Sequence, residues 1–229
     1  MDARQQKTIT RLRAAILELA TAGPVTDVTV SKLAQTAGVH RSTVYVYASS
    51  PVELLQQALR GELDELRTQY LVDVEPGDAA AAITGVTRAV LHHVDDHDAI
   101  YRRGLGSEPE PGSASLHALL SEHFQGSIDL LLEQHSVSVP AADETERRMI
   151  GRYLADGIIG AIDVWLTTPR PRDADALLGV LSRLTPSWWP DGSRAGSGTH
   201  AASGTRAASG TRAASGTRAA SGRRADSGE

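Results

Sequence analysis

The sequence contains no cysteine, which excludes disulfide bonds and thiolate metal sites. Aromatic residues make up only 4% of the chain, with one phenylalanine, so alanine and leucine must fill the interior, and these residues favour helices. No apolar run approaches the roughly 18 residues that a membrane span needs, and the first ten residues are too polar for a signal peptide. We therefore expect a cytoplasmic protein with no membrane partner.

Charge is unevenly distributed along the chain. Residues 1–48 carry six Lys/Arg and three Asp/Glu, whereas residues 49–194 carry twelve basic and 23 acidic side chains. Residues 195–229 return to five arginines and two acids. A basic beginning on an acidic body is typical of a protein that presents one face to a polyanion and repels it elsewhere.

Helical periodicity dominates, and no segment alternates apolar and polar residues as a strand does. Gly23-Pro24, Gly38 and prolines 76, 109, 111, 140 and 169 separate the helical segments. The sequence therefore predicts an all-α fold. The predicted helices are 2–22, 30–37, 40–47, 50–72, 79–95, 98–104, 113–134, 143–167 and 173–184.

The last part of the chain repeats with a period of six residues, as in AASGTR. Small residues, glycine and arginine bury too little apolar surface to offset chain entropy, so we expect disorder there. The predicted division is a helix-turn-helix domain over 1–48, a helical domain over 49–190, and a low-complexity tail over 191–229.

The most informative segment runs from Thr29 to Leu55. Two short helices flank a turn at Gly38, where glycine permits the left-handed backbone of a helix-turn-helix. Leu33, Ala34, Val39 and Val44 are expected to pack inward. The side chains expected to point outward suit bases and phosphates, and they are Arg41, Ser42, Thr43, Tyr45 and Tyr47.

This segment resembles the DNA-binding domain of the tetracycline-repressor (TetR) family of bacterial regulators. The match comprises an apolar first helix, Val-x-x-Leu-Ala-x-x-Ala-Gly-Val over 30–39, Thr-x-Tyr over 43–45, and Ser-x-x-Glu-Leu-Leu over 50–55. It covers about residues 5–60. Two positions depart from the family pattern: Ala48 stands in place of phenylalanine, and Pro51 in place of lysine.

The resemblance implies a transcriptional regulator rather than an enzyme, with no cofactor. It implies that Arg41, Ser42 and Thr43 approach base edges, while Tyr45, Tyr47 and Thr29 hold the DNA backbone. The partner would be double-stranded DNA carrying an inverted repeat, with a small-molecule effector that releases the protein. Repression is the commoner outcome in the family.

A later segment, residues 153–166, resembles the family's helix that forms half of a four-helix dimer interface. The implied homodimer residues are Gly157, Ile158, Gly160, Ala161, Ile162 and Trp165. The resemblance also implies an effector cavity between the middle helices. The polar candidates for its lining are Tyr101, Arg102, His117 and Asp156.

Two alternatives remain open from the residues alone. His93 and His97 stand four residues apart in the His92–His97 cluster, with Asp96 nearby, a spacing that metal sites use. No second ligand pair at defined spacing accompanies them, so we predict no metal site and keep a metal-binding helical enzyme or metal-responsive regulator as the alternative. The other alternative is a protein that coats DNA without sequence preference through its arginine-rich tail.

Overall fold

The computed structural model describes residues 3–105 and 114–190. The predicted low-complexity tail lies outside these residues. Within them the chain is helical, with no strand, which confirms the all-α prediction. The nine α-helices are α1 (Ala3–Ala22), α2 (Val30–Ala37), α3 (Arg41–Tyr47), α4 (Pro51–Leu71), α5 (Ala79–Asp96), α6 (Asp98–Leu105), α7 (Ala114–Glu133), α8 (Glu144–Leu166) and α9 (Ala174–Leu184). A short 3₁₀ turn, Val25–Asp27, links α1 to α2.

Polar side chains fix where several helices begin. Thr29, Ser50, Asp143 and Asp173 each accept a hydrogen bond from a backbone N–H in the first turn of the helix that follows. Such caps satisfy donors that have no partner inside the helix. Predicted and observed helix boundaries consequently agree closely.

The first three helices pack as a small unit on α4. α1 contacts α2 and α4, and α2 contacts α3. Leu12, Ile16, Leu33 and Val44 are fully buried between them. Aliphatic side chains thus fill this core, as the scarcity of aromatic residues requires.

The remaining helices form a bundle around α4, α5, α7 and α8. α7 packs on both α4 and α8, while α5 packs on α4 and α9. α6 contacts α1, so it links the bundle to the first three helices. Among the described residues, no helix is long and apolar enough to cross a membrane.

Candidate DNA-binding surface and effector cavity

The turn between α2 and α3 is set by backbone geometry and a cap. The Thr29 hydroxyl accepts from the Lys32 N–H at 3.1 Å and begins α2. Gly38 ends it with φ 61° and ψ 45°, a left-handed conformation that other residues rarely adopt. The Val39 N–H then donates to the Ala34 carbonyl at 3.0 Å. The predicted helix-turn-helix is therefore present, with glycine at the position that requires it.

A side chain of α1 holds this turn. Arg11 Nη2 donates to the Gly38 carbonyl at 2.9 Å. A Cβ at Gly38 would stand 2.3 Å from the same nitrogen, so the turn and the guanidinium fit each other closely. This role was not predicted, because 27 residues separate Arg11 from Gly38 and no local pattern links them.

α3 buries one face and exposes the other. Val44 is fully buried, whereas Thr43 and Tyr47 are half-buried. The Tyr47 ring packs against the hydrophobic core. The exposed side chains of the helix are Arg41, Ser42, Tyr45 and Val46. The structure thus brings the predicted DNA-contacting residues of α3 onto one short helix, with its edge turned to α1.

Val46 is a residue that sequence reasoning missed. Its side chain is 77% exposed, although it is apolar and stands between two tyrosines. It lines a shallow groove with Ser42, Thr43 and Tyr47 of α3 and with the N-terminal turns of α1. Helical spacing would have suggested this exposure, since Val46 lies two positions from the buried Val44.

The start of α4 is a variant of the capping box, in which a serine and a glutamate three residues later normally bond each other's backbone N–H. The Ser50 hydroxyl accepts from the Glu53 N–H at 3.1 Å. The Glu53 carboxylate accepts from the Ser49 N–H at 2.7 Å instead of the Ser50 N–H. The Ser49 hydroxyl also donates to it and lowers the pKa of Glu53. Ala48, the first departure from the family pattern, is buried, so a small residue fills the space behind α3.

A separate apolar cavity of about 390 Å³ lies among α5, α7, α8 and α9. Its walls are mostly Leu, Ile, Val, Phe and Trp side chains. The threonine and serine hydroxyls that reach it already bond within their own helices. Thr84 and Thr87, for example, donate to the Ala80 and Ile83 carbonyls at 2.8 and 2.7 Å. This wall offers an entering molecule apolar contact and few polar partners.

His123 is the exception in this wall. It is 4% exposed, and neither ring nitrogen has a hydrogen-bond partner among the described residues. Burial, with smaller contributions from Arg67 and His93, lowers the pKa of His123 to about 3. The ring is therefore neutral at physiological pH and offers one donor and one acceptor. A buried polar group without a hydrogen-bond partner costs folding free energy, so a ligand that hydrogen-bonds to this histidine would offset that cost.

The four predicted effector residues lie outside this cavity. Tyr101 is fully buried with its hydroxyl 2.9 Å from His93 Nε2, and Arg102 is exposed. His117 Nε2 lies 3.9 Å from Asp156 Oδ1, between α7 and α8. Polar side chains suit ligand contacts in general, but the lining of this cavity is chiefly apolar.

The predicted dimer residues divide into two groups. Ile162 and Trp165 are buried within the protomer, and Ile158 lines the apolar cavity. These three, with the half-buried Ala161, therefore pack against the protomer's own core. Gly157 and Gly160 are exposed, and a Cβ on either would meet open space.

Exposed apolar side chains of α8 mark a face beside these glycines. Met149, Tyr153 and Val164 are 65%, 76% and 66% exposed and recur at helical spacing with Gly157 and Gly160. α9 adds Val180 and the strongly exposed Leu184. We call these seven residues the α8–α9 face. Of the residues predicted for the dimer interface, Gly157 and Gly160 lie on this face, whereas Ile162 and Trp165 lie on the buried side of α8.

The histidine cluster gains a partner that sequence spacing did not reveal. His93 and His97 face the same way, as their spacing predicts, and both approach Glu62 of α4. His92 is exposed, and Asp96 lines the same cleft without joining the group. Glu62 stands 31 residues before His93 in the chain, so the spacing of the histidines gave no sign of this carboxylate.

Solved structures match this arrangement of helices. A TetR-family transcriptional regulator from Streptomyces coelicolor is 22% identical, with a TM-score of 0.51 over 81% of this chain and 85% of that one. NalD, the secondary repressor of the MexAB-OprM multidrug efflux pump in Pseudomonas aeruginosa, is 19% identical, with a TM-score of 0.52 over 82% and 100%. This chain has the TetR-family fold.

The TetR-like fold is shared with an activator as well. The dihydroxyacetone kinase operon activator DhaS is 18% identical, with a TM-score of 0.55 over 77% of this chain and 93% of that one. No protein-family model and no curated protein matches the sequence. The neighbours named here are described as transcriptional regulators.

Proposed function

We propose that this chain is a homodimeric transcriptional regulator that binds an inverted-repeat DNA site through α3. The observation that carries the proposal is the two-sided character of α3, whose Val44 anchors the core while Arg41, Ser42, Tyr45 and Val46 are exposed. An exposed recognition helix held by a rigid turn is the arrangement that enters a DNA major groove. In this proposal the protein represses the adjacent promoter, works in the cytoplasm, and performs no catalysis.

Each exposed residue of α3 has a distinct chemical task. Arg41 begins the helix and can donate two hydrogen bonds to a guanine edge. Val46 has no polar atom in its side chain and suits the methyl group of thymine. Tyr45 reaches a phosphate, and Ser42 and Thr43 bond bases or backbone at closer range.

The charge distribution orients this surface toward DNA. Residues 1–48 are net basic, and the rest of the body is strongly acidic, so the field favours approach by the first three helices. Thr29 contributes at the edge: its oxygen caps α2, and its hydroxyl hydrogen can donate to a phosphate. We accordingly retain 1–48 as the DNA-binding part and 49–190 as the sensing and dimerising part.

The cavity favours an uncharged and largely apolar effector. Its volume of about 390 Å³ lies within the usual range for small-molecule pockets. Because its hydroxyls bond their own helices and His123 is neutral, one hydroxyl or carbonyl group on the ligand would satisfy this wall. A charged ligand would lose hydration here without a charged partner from the lining residues.

The α8–α9 face supplies the proposed dimer contact. Its exposed apolar side chains flank two glycines that allow close approach of a second helix. A two-fold axis through this face would place two copies of α3 on one side of the dimer. Two-fold protein symmetry then requires an inverted repeat in the DNA.

Selection of bound fragments from a random DNA library tests the proposal. The full-length protein should enrich an inverted repeat, and an apolar alcohol that raises its melting temperature should lower its affinity for that repeat. The alkane of equal length should stabilise less, and His123→Leu should erase the difference between the two compounds. Enrichment of no motif by a folded dimer would contradict DNA recognition, whereas enrichment without any ligand response would contradict only the effector assignment.

A further inference from the structure

The cleft between α4 and α5 holds three side chains that ligate metals. Glu62 Oε2 lies 2.9 Å from His97 Nε2 and 3.2 Å from His93 Nδ1. One ligand atom from each of the three residues lies within 4.8 Å of the other two. His93 is buried, and Glu62 and His97 are half-buried, so the group is shielded yet reachable from the cleft.

We propose that Glu62, His93 and His97 bind a divalent transition-metal ion of the Zn²⁺ type. Two imidazoles and one carboxylate form a common set for such ions, with bonds of about 2.0–2.2 Å. In a tetrahedron with bonds of this length the ligand atoms stand about 3.3 Å apart. The two Glu62 distances are already near that value. The third edge, between the two histidine nitrogens, is at most 4.8 Å and would shorten when an ion binds.

The fourth coordination position faces the cleft. Its walls include Glu65 and Asp96, which add negative charge near an incoming cation. Arg88 also lines the cleft, but its guanidinium is 2.8 Å from Asp175 of α9. Water therefore completes the coordination, and the acidic wall raises the local concentration of cations.

The groups behind the ligands suit a bound ion. His93 Nε2 lies 2.9 Å from the hydroxyl of the fully buried Tyr101. With the ion on Nδ1, the Nε2–H donates to the tyrosine oxygen, an outer partner that fixes the tautomer.

A metal-free network is the rival explanation of the same distances. In that network Tyr101 donates to His93 Nε2, and both histidines donate to Glu62. Two donors would then converge on one carboxylate oxygen, Oε2, while their rings stand 4.8 Å apart at 70°. The two explanations differ in affinity for added metal, which a titration measures directly.

The position of the site gives the ion a structural consequence. His97 stands at the junction where α5 ends and α6 begins, and Tyr101 lies on α6. Arg103 of α6 donates to the carbonyls of Ala20 and Thr21 at the end of α1. A bound ion would thus tie α4 to the α5–α6 junction, one step from the first three helices. Metal binding itself does not depend on the proposed DNA-binding function.

Titration of Zn²⁺ into metal-stripped, full-length protein tests the site. Calorimetry should give one ion per chain with a submicromolar Kd, and Co²⁺ should produce the visible absorption of a tetrahedral complex. Glu62→Gln and His97→Gln should each weaken binding at least about 100-fold, since each removes a direct ligand and loss of a mere outer partner already costs about 10–100-fold. The neighbouring controls His92→Gln and Gln69→Ala, both exposed, should change the Kd by less than about 3-fold, because surface substitutions that remove no ligand have small effects.

Thermal melts provide a second test of the site, one that compares each folded variant with and without metal. Saturating Zn²⁺ should raise the melting temperature of the wild type and both controls, because an ion that binds only the folded state stabilises it. It should leave His97→Gln unchanged, and that variant decides the matter if Glu62→Gln fails to fold. Absence of one-to-one binding, or equal weakening by His92→Gln, would overturn the site in favour of the metal-free network.

Discussion

The first three helices and the remaining body use their polar side chains in different ways. In residues 3–48 most polar contacts are local, as in Thr29 with Lys32, and the functional side chains point outward. The body has local contacts of the same kind, and it adds many polar pairs between helices far apart in sequence, such as Arg88 with Asp175 and Glu62 with His97. The difference indicates that the proposed DNA-binding surface is encoded mainly by local signals, whereas the proposed sensing body depends more on long-range contacts.

Gly160→Glu, a substitution in α8 of the body, should have the largest effect on DNA affinity. The new carboxylate would be unpaired in the α8–α9 face once two copies meet, at a cost of at least about 3 kcal/mol in dimerisation. Open space around Gly160 leaves the protomer itself intact. Analytical ultracentrifugation should show folded monomers with weak DNA binding.

Gly77→Glu provides the matched control for this dimer prediction. Gly77 lies between α4 and α5, and a Cβ there also meets open space. This variant should remain dimeric. If Gly160→Glu sediments as a dimer too, the α8–α9 face is not the interface.

Arg41→Ala, a substitution within the first three helices, should have the next largest effect on DNA affinity and should leave the body unchanged. Loss of a two-donor contact to guanine should reduce the free energy of DNA binding by about 1–3 kcal/mol per half-site and relax discrimination at one base pair. Tyr47→Phe keeps the packed ring and removes only the hydroxyl, so it should weaken all sequences equally. Titrations against the selected site and its point variants distinguish the two. If Arg41→Ala weakens binding to all sequences equally, Arg41 contacts a phosphate. Base recognition would then rest with Ser42, Thr43 and Val46.

Gly38→Ala tests the left-handed turn that the Arg11 side chain holds. The left-handed backbone costs an alanine about 1–2 kcal/mol, and its Cβ must also displace the Arg11 guanidinium. Urea denaturation should show this loss together with weaker DNA binding. Gly23→Ala is the control, since no atom lies within 4 Å of the added Cβ. Equal effects of the two substitutions would argue against a left-handed turn at Gly38.

His123→Asn should give the smallest effect, visible as pH dependence. The folded-state pKa of His123 is about 3, below its ordinary value of 6.5, so the unfolded state binds the proton first. The contribution of His123 to the free energy of unfolding is therefore fully present above pH 6.5. It falls with acidification by up to about 1.4 kcal/mol per pH unit. The variant should have a shallower slope between pH 6.5 and 5. The exposed His135, changed to Asn, should leave the slope as it is, and identical slopes for all three proteins would contradict the buried, neutral histidine.

The sequence predicted the helices and the turn at Gly38 well because their signals are local. Caps such as Ser50 and Asp143, and the glycine at position 38, act within a few residues. It failed where a partner comes from a distant helix. Spacing on α5 gives two histidines but not Glu62, and spacing on α8 gives an apolar helix without showing that Ile162 faces inward.

Fluorescence anisotropy of the full-length protein on three DNA duplexes tests the central claim most directly. The duplexes are the selected inverted repeat, a single half-site of equal length, and a scrambled sequence, all at one salt concentration because phosphate contacts depend on salt. The account predicts tight binding to a repeat whose half-sites lie one to one and a half helical turns apart, with much weaker binding to the other two. Equal affinity for all three duplexes would show binding by charge alone and would contradict sequence recognition by α3.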